Sequence, residues 1–339
     1  MIGRPEQLLI FLIKSALFDF SIDTVFLSNV SVDDWKDAYR ISSQHGITAL
    51  TFDGINQLPS GYRPPKEVML QWFGQQLTQE KRYSQQRMAV EELVAMWKDA
   101  GIQVKELKGN DIGQYYPYPE HRYSCDFDCF LSDFKTGNDI VEAKGVKVNR
   151  DFYKNSSFTW KGLYVENHQF CTPVRGNKEM KHLELVLREN INNDNFNALF
   201  LMEHMWAHFF EDALSLKQLV DWVVFRHRCW NDVDEALFEK ESHACGFYQF
   251  ALSINQIADA LLDCNAKFHF EDNATQRLWE QILSGGGSVE MNNGWRTRFQ
   301  LTCNYFRNRW RYKEFCNHSA FFVLARTTFG FVFDKNPKI

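Results

Sequence analysis

An α+β fold, mostly helical, is predicted for this chain of 339 residues: a small mixed sheet flanked by helical N-terminal and C-terminal parts. Two observations predict it. Apolar residues recur at helical spacing up to about residue 100 and again through the second half of the chain, while residues 102–170 break into short runs of β-like alternation. No proline stands between Pro173 and Pro337, so nothing interrupts the second helical region. The expected organisation is a helical part over 1–100, a core sheet over 101–175 and a helical bundle over 176–339.

The elements follow in order. Leu8-Leu9-Ile10-Phe11-Leu12-Ile13 reads as the buried side of a first helix; Lys14 interrupts it and no small-residue cleavage site follows before Asp19, which argues against a signal peptide. Ser31-Val32-Asp33-Asp34 supplies capping residues ahead of Trp35, Ala38, Tyr39 and Ile41, which share a helical face. The breaker-rich stretch from Leu58 to Pro65 is a loop, and a long helix is expected from Lys66 to about Ala100, with Val68, Leu70, Trp72 and Phe73 in its apolar rows. Residues 102–107, 125–131 and 157–170 read as strands. In the last, Phe158, Trp160, Tyr164, Glu166, His168 and Phe170 are expected on one face. Helical periodicity returns at 196–228, 247–262 and 296–322, with a flexible loop at Gly285-Gly286-Gly287-Ser288 that is no phosphate loop, because no Lys-Ser/Thr follows it.

Composition narrows the class. With 45% hydrophobic and 24% charged residues the chain is an ordinary globular protein. A net charge of −5 argues against broad electrostatic binding of nucleic acid, which needs a dense positive surface. The eight cysteines show no C-x-x-C pairing, as expected of reduced thiols in a cytoplasmic protein. No stretch approaches the roughly 20 apolar residues that span a bilayer.

The chemistry concentrates at Lys108-Gly109 and at Asp126-Phe127-Asp128. Side chains two apart on a strand point the same way, so Asp126 and Asp128 are expected on an open face while Phe127 and Cys129 enter the core. Two neighbouring carboxylates repel, and a cation between them relieves the repulsion. If the strands are neighbours, Glu166 completes a three-carboxylate cluster beside His168. Such hard oxygen ligands suit Mg²⁺ or Mn²⁺ bridging to substrate phosphates, one ion on a triphosphate and a second at an acceptor hydroxyl, with Glu166 as metal ligand, general base, or both. Gly109 lets backbone approach a phosphate, a helix starting at Asn110 or Asp111 would present free N–H groups, and Lys108 and Arg122 would neutralise charge. The plainer alternatives are acidic residues solvating an edge strand and a glycine turn with two surface cations.

The order Lys108-Gly109, Tyr116-Pro117-Tyr118-Pro119, Arg122, Asp126-x-Asp128 and Glu166-x-His168 resembles an uncharacterised bacterial nucleotidyltransferase family of the polymerase-beta-like superfamily, over most of the chain. Asp34-Trp35-Lys36-Asp37-Ala38 with Gln44-His45-Gly46-Ile47 is similar to its helical lead-in, and the segments 201–208 and 216–221 to its helical signature of two histidines followed by a basic residue and an aspartate. The resemblance implies a nucleotidyltransferase core with Asp126, Asp128 and Glu166 as catalytic metal ligands. It puts Lys108, Gly109, Arg122 and His168 on the nucleotide side and His204 and His208 beside the nucleotide or acceptor pocket. The partners it implies are a nucleoside triphosphate (NTP) and an unidentified acceptor, small rather than macromolecular. The superfamily's usual Gly-Ser turn is replaced here by Lys108-Gly109-Asn110.

Other readings remain open. His204 and His208, four apart, share a helical face and could bind zinc or simply pack; Met205 excludes the metalloprotease pattern. Lys217 and Asp221 have the spacing of an intrahelical pair. Arg296, Arg298, Arg307, Arg309, Arg311 and Lys313, interleaved with Phe299, Tyr305, Phe306, Trp310 and Tyr312, suit a polyanion, an acidic membrane surface, or a helix with core aromatics and solvated arginines. A nucleotide-sugar glycosyltransferase also uses Asp-x-Asp, but needs strand-helix alternation before it. A binding module without turnover is the remaining rival.

Overall fold

The computed structural model describes residues 2–18, 20–211, 214–263, 268–285, 308–334 and 337. Helices α1 (Arg4–Phe18), α2 (Thr24–Ser28), α3 (Val32–Gln44), α4 (Thr48–Gln57) and α5 (Lys66–Asp99) come first. Strand β1 (Val104–Leu107), the short α6 (Gly109–Gly113), β2 (Asp126–Leu131), α7 (Phe134–Ala143), β3 (Asn155–Trp160) and β4 (Leu163–His168) form the middle. Helices α8 (Lys178–Glu189), α9 (Asp194–Glu211), α10 (Leu216–Cys229), α11 (Glu235–Cys245), α12 (Tyr248–Leu262) and α13 (Asn273–Ser284) follow, then helices Arg309–Phe315 and Ala320–Phe333. The fold is α+β and mostly helical. Among the described residues five helices precede the first strand, unlike the strand-helix alternation a glycosyltransferase requires.

Local chemistry explains the first elements. Ser31 and Asp34 close a capping box on α3, the Ser31 hydroxyl accepting from the Asp34 amide at 3.1 Å and the Asp34 carboxylate from the Ser31 amide at 2.8 Å. α4 crosses α1 at Gly54, where an added Cβ would lie 2.2 Å from the Leu12 carbonyl oxygen. Helix α5 serves two cores. Its first half buries Val68 and Trp72 with Leu8, Trp35 and Phe52; its second half buries Val90, Leu93 and Trp97 against the sheet.

The sheet is mixed, in the order β1-β2-β4-β3, with β2 and β4 parallel and the outer pairs antiparallel. Residues 157–170, expected as one strand, instead span most of a hairpin, from within β3 through its turn to the end of β4. Lys161 (φ 49°) and Gly162 (φ 84°) form its two-residue turn, both left-handed as a type I′ turn demands. The turn resets the alternation: Trp160 pairs with Leu163, so Phe158, Trp160, Leu163 and Val165 share the core under α5 and α7, and Tyr164, Glu166 and His168 take the other face. The expectation that Phe158 and Trp160 lie with Glu166 is thereby corrected.

That other face is not open. Leu107 and Phe130 join the core formed by α9 and α10, with Leu199, Met202, Leu219 and Val223, so the acidic side of the sheet looks into the helical bundle. Asp128 is 6% exposed as a result. In the C-terminal region Arg311 is not solvated as expected; it is buried and donates to the Phe209 carbonyl, while Arg309 and Lys313 are exposed. Arg296, Arg298, Phe299, Tyr305, Phe306 and Arg307 lie outside the described residues, as do Gly286, Gly287 and Ser288.

Candidate active site

Parallel pairing of β2 with β4 sets Asp128 beside Glu166 and Asp126 beside Tyr164. Side chains at 126, 128 and 130 of β2 face the same way as those at 164, 166 and 168 of β4, and the site grows from that register. His168 Nε2 lies 3.0 Å from Asp128 Oδ1 and 3.5 Å from Glu166 Oε2. Asp128, Glu166 and His168 each offer a ligand atom within 4.8 Å of the others. Asn155 of β3 donates from its amide to Glu166 Oε2 at 2.7 Å and so aims that carboxylate. Asp126 stands two residues back on the same face and is not one of the three.

Lys108 reaches Asp128 from the end of β1, Nζ to Oδ2 at 3.1 Å. Its backbone is left-handed (φ 53°), as is that of Gly109 (φ 34°). A lysine held there is strained, a cost usually found where geometry serves a function. α6 starts at Gly109, and Gly109, Ser124 and Asp126 line a small cleft with Tyr83 and Arg87 of α5.

The charges divide the two aspartates. Burial would raise the Asp128 carboxyl, but Lys108 and His168 outweigh it and hold the group well below the usual carboxylate range. Asp126 is pushed up by burial and by the charge of Asp128, against which Lys108 and Lys217 act. One neighbour is held ionised and the other biased toward its proton. A divalent cation would remove that bias, and the donor set of two carboxylates and an imidazole fits one.

Helices α9 and α10 close the site from the bundle side. The His204 and His208 rings meet edge to face at 4.3 Å between centroids. Burial, then the charge of Lys108, lowers both, His208 to about 4, so both imidazoles are neutral near pH 7. The charge of Asp128 acts on His208 in the opposite sense, which puts this pair within electrostatic reach of the acidic face, while the Phe200 ring stacks on His204.

Arg122 goes elsewhere. Its guanidinium forks onto Asp221 of α10, Nε to Oδ1 and Nη2 to Oδ2 both at 2.8 Å, and the Tyr116 hydroxyl donates to Oδ1 at 2.7 Å. Arg122 is therefore a buried brace between the lead-in to β2 and α10, not a free phosphate ligand in this structure. The intrahelical pairing of Lys217 with Asp221 is corrected by the same contacts: Asp221 belongs to Arg122 and Tyr116. Lys217 donates to the Tyr123 carbonyl at 3.4 Å and acts on Asp126 electrostatically.

Asn155 and Lys154 were missed from the sequence. Lys154 acts electrostatically on His204 and His208. Neither residue carries a motif; only the β3–β4 register reveals them. For Lys217 the signal was present in its spacing from Asp221, which sets both on one face of α10.

A family model described as an uncharacterised nucleotidyltransferase matches residues 31–263, which include every residue of this site. No curated protein and no solved structure matches the chain.

Proposed function

Because the chain belongs to the uncharacterised nucleotidyltransferase family, we propose that it transfers a nucleoside monophosphate from an NTP to an acceptor in a reaction that depends on Mg²⁺ or Mn²⁺. The observation that carries this reading is the convergence of Asp128, Glu166 and His168 from two parallel strands, with Lys108 against Asp128.

Asp128 and Glu166 are the residues to hold a divalent cation, with His168 beside them and Asp126 on the same face. The ion would supply positive charge to the triphosphate and the acceptor oxygen. Lys108 adds a fixed cation at the phosphate end of the site. Glu166, aimed by Asn155, is the base that takes the acceptor proton. The acceptor oxygen then forms its bond to the α-phosphorus as the α–β phosphoanhydride breaks and pyrophosphate leaves. His204 and His208, being neutral, offer hydrogen bonds without adding charge.

A second reading has one observation in its favour. Lys108 already pairs with Asp128 and His168 hydrogen-bonds it, which suits a module that holds nucleotide without turning it over. Calorimetric titration with each NTP and Mg²⁺, followed by pyrophosphate detection in the presence of fractionated metabolites, RNA and protein, separates the two. Label transfer to one fraction supports the enzyme. Binding with no pyrophosphate from any fraction supports the module.

A further inference from the structure

The helix Ala320–Phe333 is inverted relative to a surface helix of a globular protein. Its phenylalanines face outward: Phe321 is 75% exposed, Phe322 48%, Phe329 63% and Phe333 71%. At about 100° per residue these four and Ala325 fall within an arc of about 120°, and no charged residue shares it. The helix is fastened along one edge of that arc, where Arg326 and Gly330 follow Phe333 around the helix. Arg326 pairs with Glu179 at 3.3 Å, Gly330 lies against the backbone of Arg175 and Gly176, and the Asp334 carboxylate beyond the helix end accepts from the Gly176 amide at 2.9 Å. An apolar face of this size on a firmly anchored helix marks an interaction surface.

Charge decides what covers it. Phe321 lines a cavity of about 650 Å³ together with Arg277, Arg309 and Lys313. Arg277 stacks on Trp310 at 4.0 Å, and Lys313, its side chain 82% exposed, lies 3.9 Å from Glu314, the one carboxylate among the described lining residues against three cations. In a chain of net charge −5, a cationic rim joined to a row of phenyl rings is a local reversal. We infer that this face docks in the plane of a bilayer surface containing anionic lipid, the phenyl rings entering the acyl boundary and Arg277, Arg309 and Lys313 meeting headgroup phosphates. The helix, about 21 Å long, lies on the membrane; no helix among the described residues is long and apolar enough to cross one. The inference is independent of the nucleotidyl chemistry.

Flotation of the full chain with phosphatidylcholine vesicles, with and without phosphatidylglycerol, is the test. The protein is expected to float with the anionic vesicles, about tenfold more weakly with neutral ones, and less as salt is added. The double substitution F321S/F329S, at exposed positions, is expected to abolish flotation while leaving the thermal midpoint unchanged; R309E/K313E is expected to remove the preference for anionic lipid. Failure of the unaltered protein to float with anionic vesicles overturns the inference. So does light scattering that shows a lipid-free dimer which F321S/F329S converts to monomer, because the face then belongs to a second copy.

Discussion

Arg122 and Asp221 stand 99 residues apart in sequence and form a buried two-bonded ion pair, each contact 2.8 Å. The pair joins the segment that leads into β2 to α10, and so fixes where the acidic strand lies beneath the bundle. Burial would lower the guanidinium, but the charge and hydrogen bonds of Asp221 outweigh it and hold Arg122 well above its ordinary value. Removing one partner strands the other charge, together with the Tyr116 hydroxyl.

Asp221→Asn is therefore expected to lower stability by about 3–5 kcal/mol, read as a shift in the urea midpoint. Replacing both partners by apolar residues, as in R122M/D221L, is expected to cost less than Asp221→Asn alone. Arg122→Lys is not conservative here, because an ammonium cannot make the fork.

Gly54 carries the contact between α1 and α4. A Cβ there meets backbone, the Leu12 carbonyl, which cannot swing aside as a flexible side chain would. Gly54→Ala is expected to lower stability by about 1–3 kcal/mol or more, the cost of overpacking a tight core. Calorimetric unfolding of the variant checks this; an unchanged midpoint would mean the helices separate without penalty.

The contribution of His45 to stability is expected to be lost below about pH 6.5. His45 Nδ1 accepts from the Leu216 amide at 3.1 Å, so Nε2 carries the proton and faces the Leu283 carbonyl at 3.3 Å. Burial lowers the His45 pKa in the fold. Between the folded and unfolded values the unfolded chain binds more protons, so stability is full above the unfolded value and is lost as pH drops toward the folded one. His204 and His208 are lowered in the same direction and add to the slope. Urea midpoints from about pH 8 to about pH 5 should fall more, or rise less, on acidification in the parent protein than in His45→Gln.

Asn155 is expected to matter through Glu166 alone. Removing an orienting partner of a metal ligand typically costs about 10–100-fold in metal affinity, so Asn155→Ala should weaken Mn²⁺ binding by that factor while leaving the thermal midpoint near its parent value. Equal affinity in the two proteins would show that the Asn155 bond does not aim the carboxylate.

The parts of the site that local patterning controls were legible in the sequence. Asp126-x-Asp128 between apolar residues places both carboxylates on one face of a strand, and the capping residues at Ser31 to Asp34 and the run after Pro65 announce their helices. The turn at Lys161-Gly162 was hidden, because the residues on either side keep alternating and only a left-handed pair breaks the parity. Contacts between distant segments left no local trace at all: neither the choice of Asp221 by Arg122 nor the placing of Asn155 against Glu166 follows from spacing. The burial of the acidic face also depends on how the bundle folds back, which residue order alone does not state.

Mn²⁺ titration followed by electron paramagnetic resonance tests the proposed sharing of a divalent cation by Asp128, Glu166 and His168 without any need to know the acceptor. The parent protein is expected to retain Mn²⁺, with retention lost in Glu166→Gln and in Asp128→Asn while both variants stay folded by circular dichroism. Retention undiminished in both variants, or none in the parent protein with or without NTP, would contradict it.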